Sequence, residues 1–200
     1  MQGNLSALAA KTLLKSAKKK KLLTGIFTAI HTFGRDLKWN VHIHLAITLG
    51  GITDNGKQWK KIVFCPTTTM RRWRYQVVNL LRAEYKKGEL IIPTELQGQI
   101  QNTQQLTQFL NQQYEKHWHV HFANPTKTPL KTIKYLGRYL KRPPLALSRL
   151  KHYDGSEVVF EYLDHHTQKH RLFRCDVEAF IQRLIRHIPE KHFRMIRYYG

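Results

Sequence analysis

Residues Thr32–Gly51 read TFGRDLKWNVHIHLAITLGG, and the centre of this stretch, Val41 to Leu49, has the form of an apolar strand with imidazoles at alternate positions. In a strand, residues two apart project from the same face. His42 and His44 are therefore expected to point together, while Val41, Ile43 and Leu45 pack behind them. Two imidazoles side by side on a rigid strand can form half of a metal site. Two hydrogen-bonded surface histidines would give the same pattern, so the pair alone leaves both readings open.

Working outward, the tract Lys15–Lys21 lies between two Leu-Leu pairs and reads as a helix with a Lys-rich face. LLTGIFTAIHTFG carries the apolar material on to Gly34. Downstream of the His-bearing stretch, Thr53-Asp54-Asn55-Gly56 holds the Asn-Gly pair that hairpins favour, and Lys60–Phe64 is expected to return antiparallel to it. After Pro66, Met70, Trp73, Val77, Leu80 and Leu81 recur at helical spacing until Gly88. The second half of the Gln-rich stretch from Gln97 to Gln113 reads as an amphipathic helix. Glu115–Phe122 alternates Trp118, Val120 and Phe122 with His117, His119 and His121, the pattern of a half-buried strand and a second His-x-His array. Val158–Leu163 and Arg171–Arg174 form a hairpin signal, followed by a helix from Val177 to His187 capped by Asp176.

Charge limits the partners. Lys and Arg number 34 against 13 Asp and Glu, a formal +21. Such an excess predicts a polyanion, with nucleic acid ahead of a membrane surface. No apolar run approaches the ~18 residues of a membrane span, and MQGNLSALAAKTLL lacks the basic opening of a signal peptide. The two cysteines, Cys65 and Cys175, suit a reducing cytoplasm and exclude a cysteine zinc site.

The stretch Leu130–Arg142, LKTIKYLGRYLKR, reads as a basic helix stopped by Pro143-Pro144. Tyr135 and Tyr139 are four apart, hence on one face and one turn from each other. They could be core-facing aromatics. Beside a metal-binding His pair in a strongly basic chain, they could instead attack a phosphodiester. A phenol (pKa about 10) ionises more readily than an aliphatic alcohol, and nearby Lys and Arg favour the phenolate. Phenolate is also a competent leaving group, so a strand held as phosphotyrosine can be passed on.

The runs FGRDLKWNVHIHLAITLGG, KYLGRYLKRPPLALSRL and HIPEKHFRMIRYYG together resemble the two-tyrosine HUH transposases of rolling-circle insertion sequences, of the insertion-sequence-ninety-one type. The resemblance runs from about Phe33 to Gly200. It implies an α+β fold, with an antiparallel sheet of ferredoxin-like or RRM-like kind and packed helices. It also implies metal ligation by His42 and His44, nucleophiles at Tyr135 and Tyr139, Mg²⁺ or Mn²⁺ as cofactor, and single-stranded DNA at the element's ends and target as partner. A cysteine-rich zinc region and a first sheet strand upstream of Lys11 are expected by resemblance and have no counterpart, so the chain reads as an N-terminally truncated copy. Residues 1–30 would be a basic helical remnant and 31–200 the catalytic domain. For a third ligand, His119, His121 and Glu157 are the candidates. Arg71, Arg72, Arg74, Lys134 and Arg138 are expected to meet phosphates, and Trp73 or Trp39 to stack bases. The expected activity is cleavage and rejoining of single-stranded DNA through a 5′-phosphotyrosine. The alternatives are a catalytically inactive nucleic-acid-binding remnant, or a His-metal hydrolase using activated water.

Overall fold

The computed structural model describes residues 2–126, 128, 130–132, 134, 137 and 142–200. The expected helix bearing Tyr135 and Tyr139 falls largely outside these residues. In chain order the elements are α1 (Gln2–Lys19), β1 (Leu22–Leu23), β2 (Ile26–Phe33), β3 (Trp39–Ile47), β4 (Gly50–Thr53) and β5 (Trp59–Lys61). Next come α2 (Pro66–Lys86), α3 (Thr94–Gln97), α4 (Thr103–Gln112) and the 3₁₀ turn Leu147–Arg149. β6 (Leu150–Tyr153), β7 (Glu157–Leu163), β8 (His170–Asp176), α5 (Val177–Ile185) and β9 (Ile196–Tyr199) follow among the described residues. The class is α+β. Among the described residues the strands form three small sheets, ordered β1-β4-β5, β3-β2-β9 and β6-β7-β8.

Two compact units divide the chain, one of residues 1–27, 45–125 and 198–200, the other of 28–44 and 126–197. In the first, α1 turns Ala10 and Leu13 onto Ile26, with Leu45, Ile47, Phe64 and Tyr199 packed around them. Its lysines are left on the opposite, solvated side, and Lys18 and Lys19 suit the negative end of the helix dipole. Helix α2 starts at Pro66, whose fixed φ suits a first helical position, with Cys65 as its N-cap. It is tied to α1 by Gln76 Nε2 donating to Thr12 Oγ1 at 2.9 Å. A separate cluster joins Val78 of α2 to Ile100, Leu106 and Leu110. The Asn55-Gly56 turn does join two antiparallel strands, but they are β4 and β5, with Gly50 opposite Lys61 and Ile52 opposite Trp59. Gly51 admits no side chain, because a Cβ would strike the Leu23 carbonyl of β1.

The His-bearing strand is therefore not half of that hairpin. Its partner is β2, in the apolar run from Leu22 to Gly34. Gly34 N donates to Lys38 O at 2.9 Å and Thr48 N to Gly25 O at 3.2 Å, which sets β2 and β3 antiparallel across a short turn. Every residue of β2 is buried, so the run shows no alternation to betray it as a strand. Glu115–Phe122 departs from expectation in the other direction. Trp118 and Val120 turn partly inward and the three histidines outward, yet this stretch belongs to no strand among the described residues. Alternation marks an extended chain, but a strand also needs a ladder partner.

In the second unit β7 pairs antiparallel with both β6 and β8. Phe160, fully buried on β7, faces Phe173 of β8 with centroids 5.3 Å apart and Phe180 of α5 at 6.0 Å. Asp176 caps α5 by accepting from Ala179 N at 2.7 Å. Phe160 is thus the centre through which helix and sheet hold together. Phe160→Ala is expected to destabilise the chain by ~3–5 kcal/mol, a large share of a domain's usual margin. Urea denaturation followed by circular dichroism would measure it.

Candidate metal centre

Strand β3 puts His42 and His44 on one face, as period two requires, with ring centroids 4.9 Å apart. The third imidazole comes from the neighbouring strand. His31 of β2 meets His44 at 4.7 Å and His42 at 5.6 Å between centroids. One ring nitrogen from each of the three lies within 4.8 Å of the others. Two nitrogens on a single ion with ~2.05 Å bonds stand about 3.3 Å apart in tetrahedral geometry. An ion shared by all three would draw the more distant of these nitrogens closer together.

Each ring is held or tuned by a different means. His42 Nδ1 lies 2.8 Å from the Asn40 carbonyl, which can only accept, so Nδ1 carries the proton and the lone pair is on Nε2. Burial, the imidazoles of His31 and His42, and the guanidinium of Arg142 push the His44 pKa down to about 3. His44 is accordingly neutral at physiological pH, as a ligand must be. His31 is 3% exposed and stacks on Phe33, one period along the same face of β2, at 5.0 Å and 15°.

A second buried histidine braces the hairpin from the far end of the sequence. The His187 Nε2 lies 3.0 Å from the Leu37 carbonyl and must donate to it. In the neutral ring Nδ1 then accepts from Thr32 Oγ1 at 3.1 Å. The same ring meets Phe33 edge-on at 5.8 Å and stacks parallel to Trp39, also at 5.8 Å. Leu37 holds a left-handed conformation, φ +61°, which is unusual for a residue other than glycine. Its near-complete burial and the His187 hydrogen bond hold it there.

The third imidazole beside His42 and His44 is that of His31, which was not among the third-ligand candidates. Glu157 instead accepts from Arg174 at 3.0 Å, and His119 packs against His117 with centroids 4.7 Å apart. Among the residues read as phosphate contacts, Arg71 is exposed. Arg72 donates to Ser16 Oγ at 2.8 Å. Arg74 donates to the carbonyls of Tyr114 and Lys116 at 2.6 and 3.1 Å, with its guanidinium over the Tyr114 ring. These two arginines fasten α2 to its neighbours, which leaves Arg71 as the exposed cation of the trio. Lys134 is exposed. Tyr135, Tyr139 and Arg138 lie outside the described residues. Three imidazoles suit Mn²⁺ or another first-row transition ion better than Mg²⁺, which prefers oxygen.

Comparison with known proteins agrees on one family. Residues 25–200 match the family model Y2_Tnp, described as "Putative transposase". The chain is 41% identical over 197 residues to "Transposase for insertion sequence element IS801" of Pseudomonas savastanoi pv. phaseolicola, covering 98% of this chain and 47% of that protein. It is 27% identical over 181 residues to "Putative transposase y4qJ" of Sinorhizobium fredii, covering 88% of this chain and 45% of that protein. The chain thus spans about half the length of these curated relatives. No solved structure matches.

Proposed function

Because the chain belongs to the Y2_Tnp transposase family, we propose that it cleaves and rejoins single-stranded DNA in rolling-circle-type transposition, with a tyrosine as nucleophile and a divalent metal as cofactor. The observation that carries this reading is the His31–His42–His44 cluster on the β2–β3 hairpin. It is a donor set ready for an ion, in a chain of net charge +21 that also contains Tyr135 and Tyr139.

His31, His42 and His44 would hold the ion. A divalent cation there supplies Lewis acidity toward a non-bridging phosphate oxygen, worth several kcal/mol of barrier. The hairpin keeps the three rings on one rigid face, so little reorganisation is needed when a phosphate arrives. The phenolic oxygen of Tyr135 or Tyr139 attacks phosphorus and loses its proton to water. The P–O3′ bond breaks, and the departing 3′ oxygen takes up a proton. The product is a 5′-phosphotyrosine and a free 3′-OH. In the reverse sense an incoming 3′-OH displaces the phenolate, conserving the phosphodiester energy. No membrane enters this reading, and among the described residues no helix is long and apolar enough to cross one.

The test is incubation of the chain with labelled single-stranded DNA carrying the ends of an insertion element, with Mn²⁺ or Mg²⁺ added to metal-free protein. A denaturant-resistant protein–DNA adduct is expected, formed at lower concentrations of Mn²⁺ than of Mg²⁺. Metal-dependent cutting with no adduct would instead favour activated water. Binding with no cutting in either metal would favour an inactive DNA-binding protein.

A further inference from the structure

Beside the hairpin, the second unit contains a cavity of about 220 Å³ whose chemistry is distinct from that of the three imidazoles. One wall is the β2–β3 turn, through Leu37, Lys38 and Trp39; the other is α5, through Gln182, Arg183 and Arg186. Trp39 is 53% exposed, which is high for so large an apolar ring. His187 is stacked parallel to it, 5.8 Å away, and fixes the plane of the indole. His187 is itself held by two hydrogen bonds, to Leu37 and Thr32. An indole stacked on a fixed ring, half exposed and bordered by cations is an arrangement with which proteins stack a nucleic-acid base.

Of the three cations at the cavity, the two arginines of α5 are the ones open to a phosphate. Lys38 is paired with Asp36 at 3.0 Å. Arg183 lies over the Phe173 ring at 4.6 Å, which orients its guanidinium plane and leaves its N–H edge for other partners. No carboxylate forms an ion pair with Arg183 or Arg186 among the described residues.

We infer that this cavity is a nucleotide subsite: one base of single-stranded DNA stacks on the open face of Trp39 while Arg183 and Arg186 hold the adjoining phosphate. Trp39 precedes His42 by three positions on β3, about 10 Å along the strand. Stacking accepts any base, so the subsite sets the path of the strand and not its sequence. The inference deepens the function proposed above and rests on its single-stranded DNA substrate.

Equilibrium binding in EDTA, by fluorescence anisotropy of labelled oligo-dT, tests it without any cutting. A same-length oligomer of abasic nucleotides supplies the phosphates without the bases. Trp39→Ala is expected to weaken oligo-dT binding roughly 5- to 100-fold and to leave abasic-oligomer binding unchanged. Trp39→Phe, which keeps a ring against His187, should restore most of the loss. Arg183→Ala combined with Arg186→Ala should weaken both oligomers, with a shallower salt dependence. The inference is overturned if Trp39→Ala binds oligo-dT within two-fold of the parent, if it loses equally on both oligomers, or if the parent does not bind oligo-dT. A protein that stacks bases through Trp39 yet forms no adduct would refute the strand-transfer reading alone. One that forms the adduct unaffected by Trp39→Ala would refute the subsite alone.

Discussion

His31→Ala is expected to lower metal-dependent cleavage by on the order of 10³-fold, the loss of several kcal/mol of electrostatic stabilisation at phosphorus. The same substitution should weaken Mn²⁺ binding, measured by titration calorimetry on protein freed of metal, and leave oligonucleotide binding in EDTA near the parent value. The reason lies in how the trio is built. His42 and His44 belong to one strand and would follow each other through any local shift. His31 belongs to β2 and faces them across the hairpin. Without it, an ion would keep only the two imidazoles of a single strand. Because His31 is buried, an alanine there also leaves a cavity. His31→Gln separates the two effects, since it retains bulk and an amide oxygen that ligates more weakly than imidazole. The expected order in Mn²⁺ affinity is parent, then Gln, then Ala, with all three folded by circular dichroism. Parent-level cutting by a folded His31→Ala protein would remove His31 from the site.

That His31 belongs with His42 and His44 could not be read locally. Period two was enough to place His42 and His44 on one face, because both lie on the same strand. His31 joins them only through the pairing of β2 with β3, and pairing register is a long-range property set by backbone hydrogen bonds. β2 also hides its own identity: buried on both faces, it presents a continuous apolar run with no alternation. The usable signal was Gly25 and Gly34 bracketing a β-branched and aromatic run with one histidine inside it. Elements whose cues are local emerged as expected. The β7–β8 hairpin has alternation and a polar turn, and α5 has Asp176 at its cap. Helices α2 and α4 have apolar faces at helical spacing. Glu115–Phe122 marks the opposite failure, an alternating segment with no ladder among the described residues. The bracing role of His187 belongs with His31, because its partners Thr32 and Leu37 lie at the other end of the sequence.

Replacing Tyr135 and Tyr139 together by Phe is expected to abolish the covalent adduct, a fall of at least ~10⁴-fold, as when a nucleophile is deleted from an enzyme that otherwise keeps its site. Phenylalanine removes only the hydroxyl, so packing changes little and the folded protein should bind oligo-dT and Mn²⁺ like the parent. The single substitutions carry the finer information. The helix that the sequence predicts here would put side chains four apart roughly 5–6 Å from each other at Cβ. That suits two phosphates handled in turn better than one phosphate shared by both. If each tyrosine holds its own strand end, Tyr135→Phe and Tyr139→Phe should each still form an adduct on a single-ended substrate. Both should fail to produce a joined strand from a substrate with two ends. If one tyrosine performs both steps, one single variant will match the double variant and the other will match the parent. An adduct that persists in the double variant, resistant to denaturant and dependent on Mn²⁺, would take the nucleophile away from this pair altogether. Peptide mapping of the linked residue would then name its replacement.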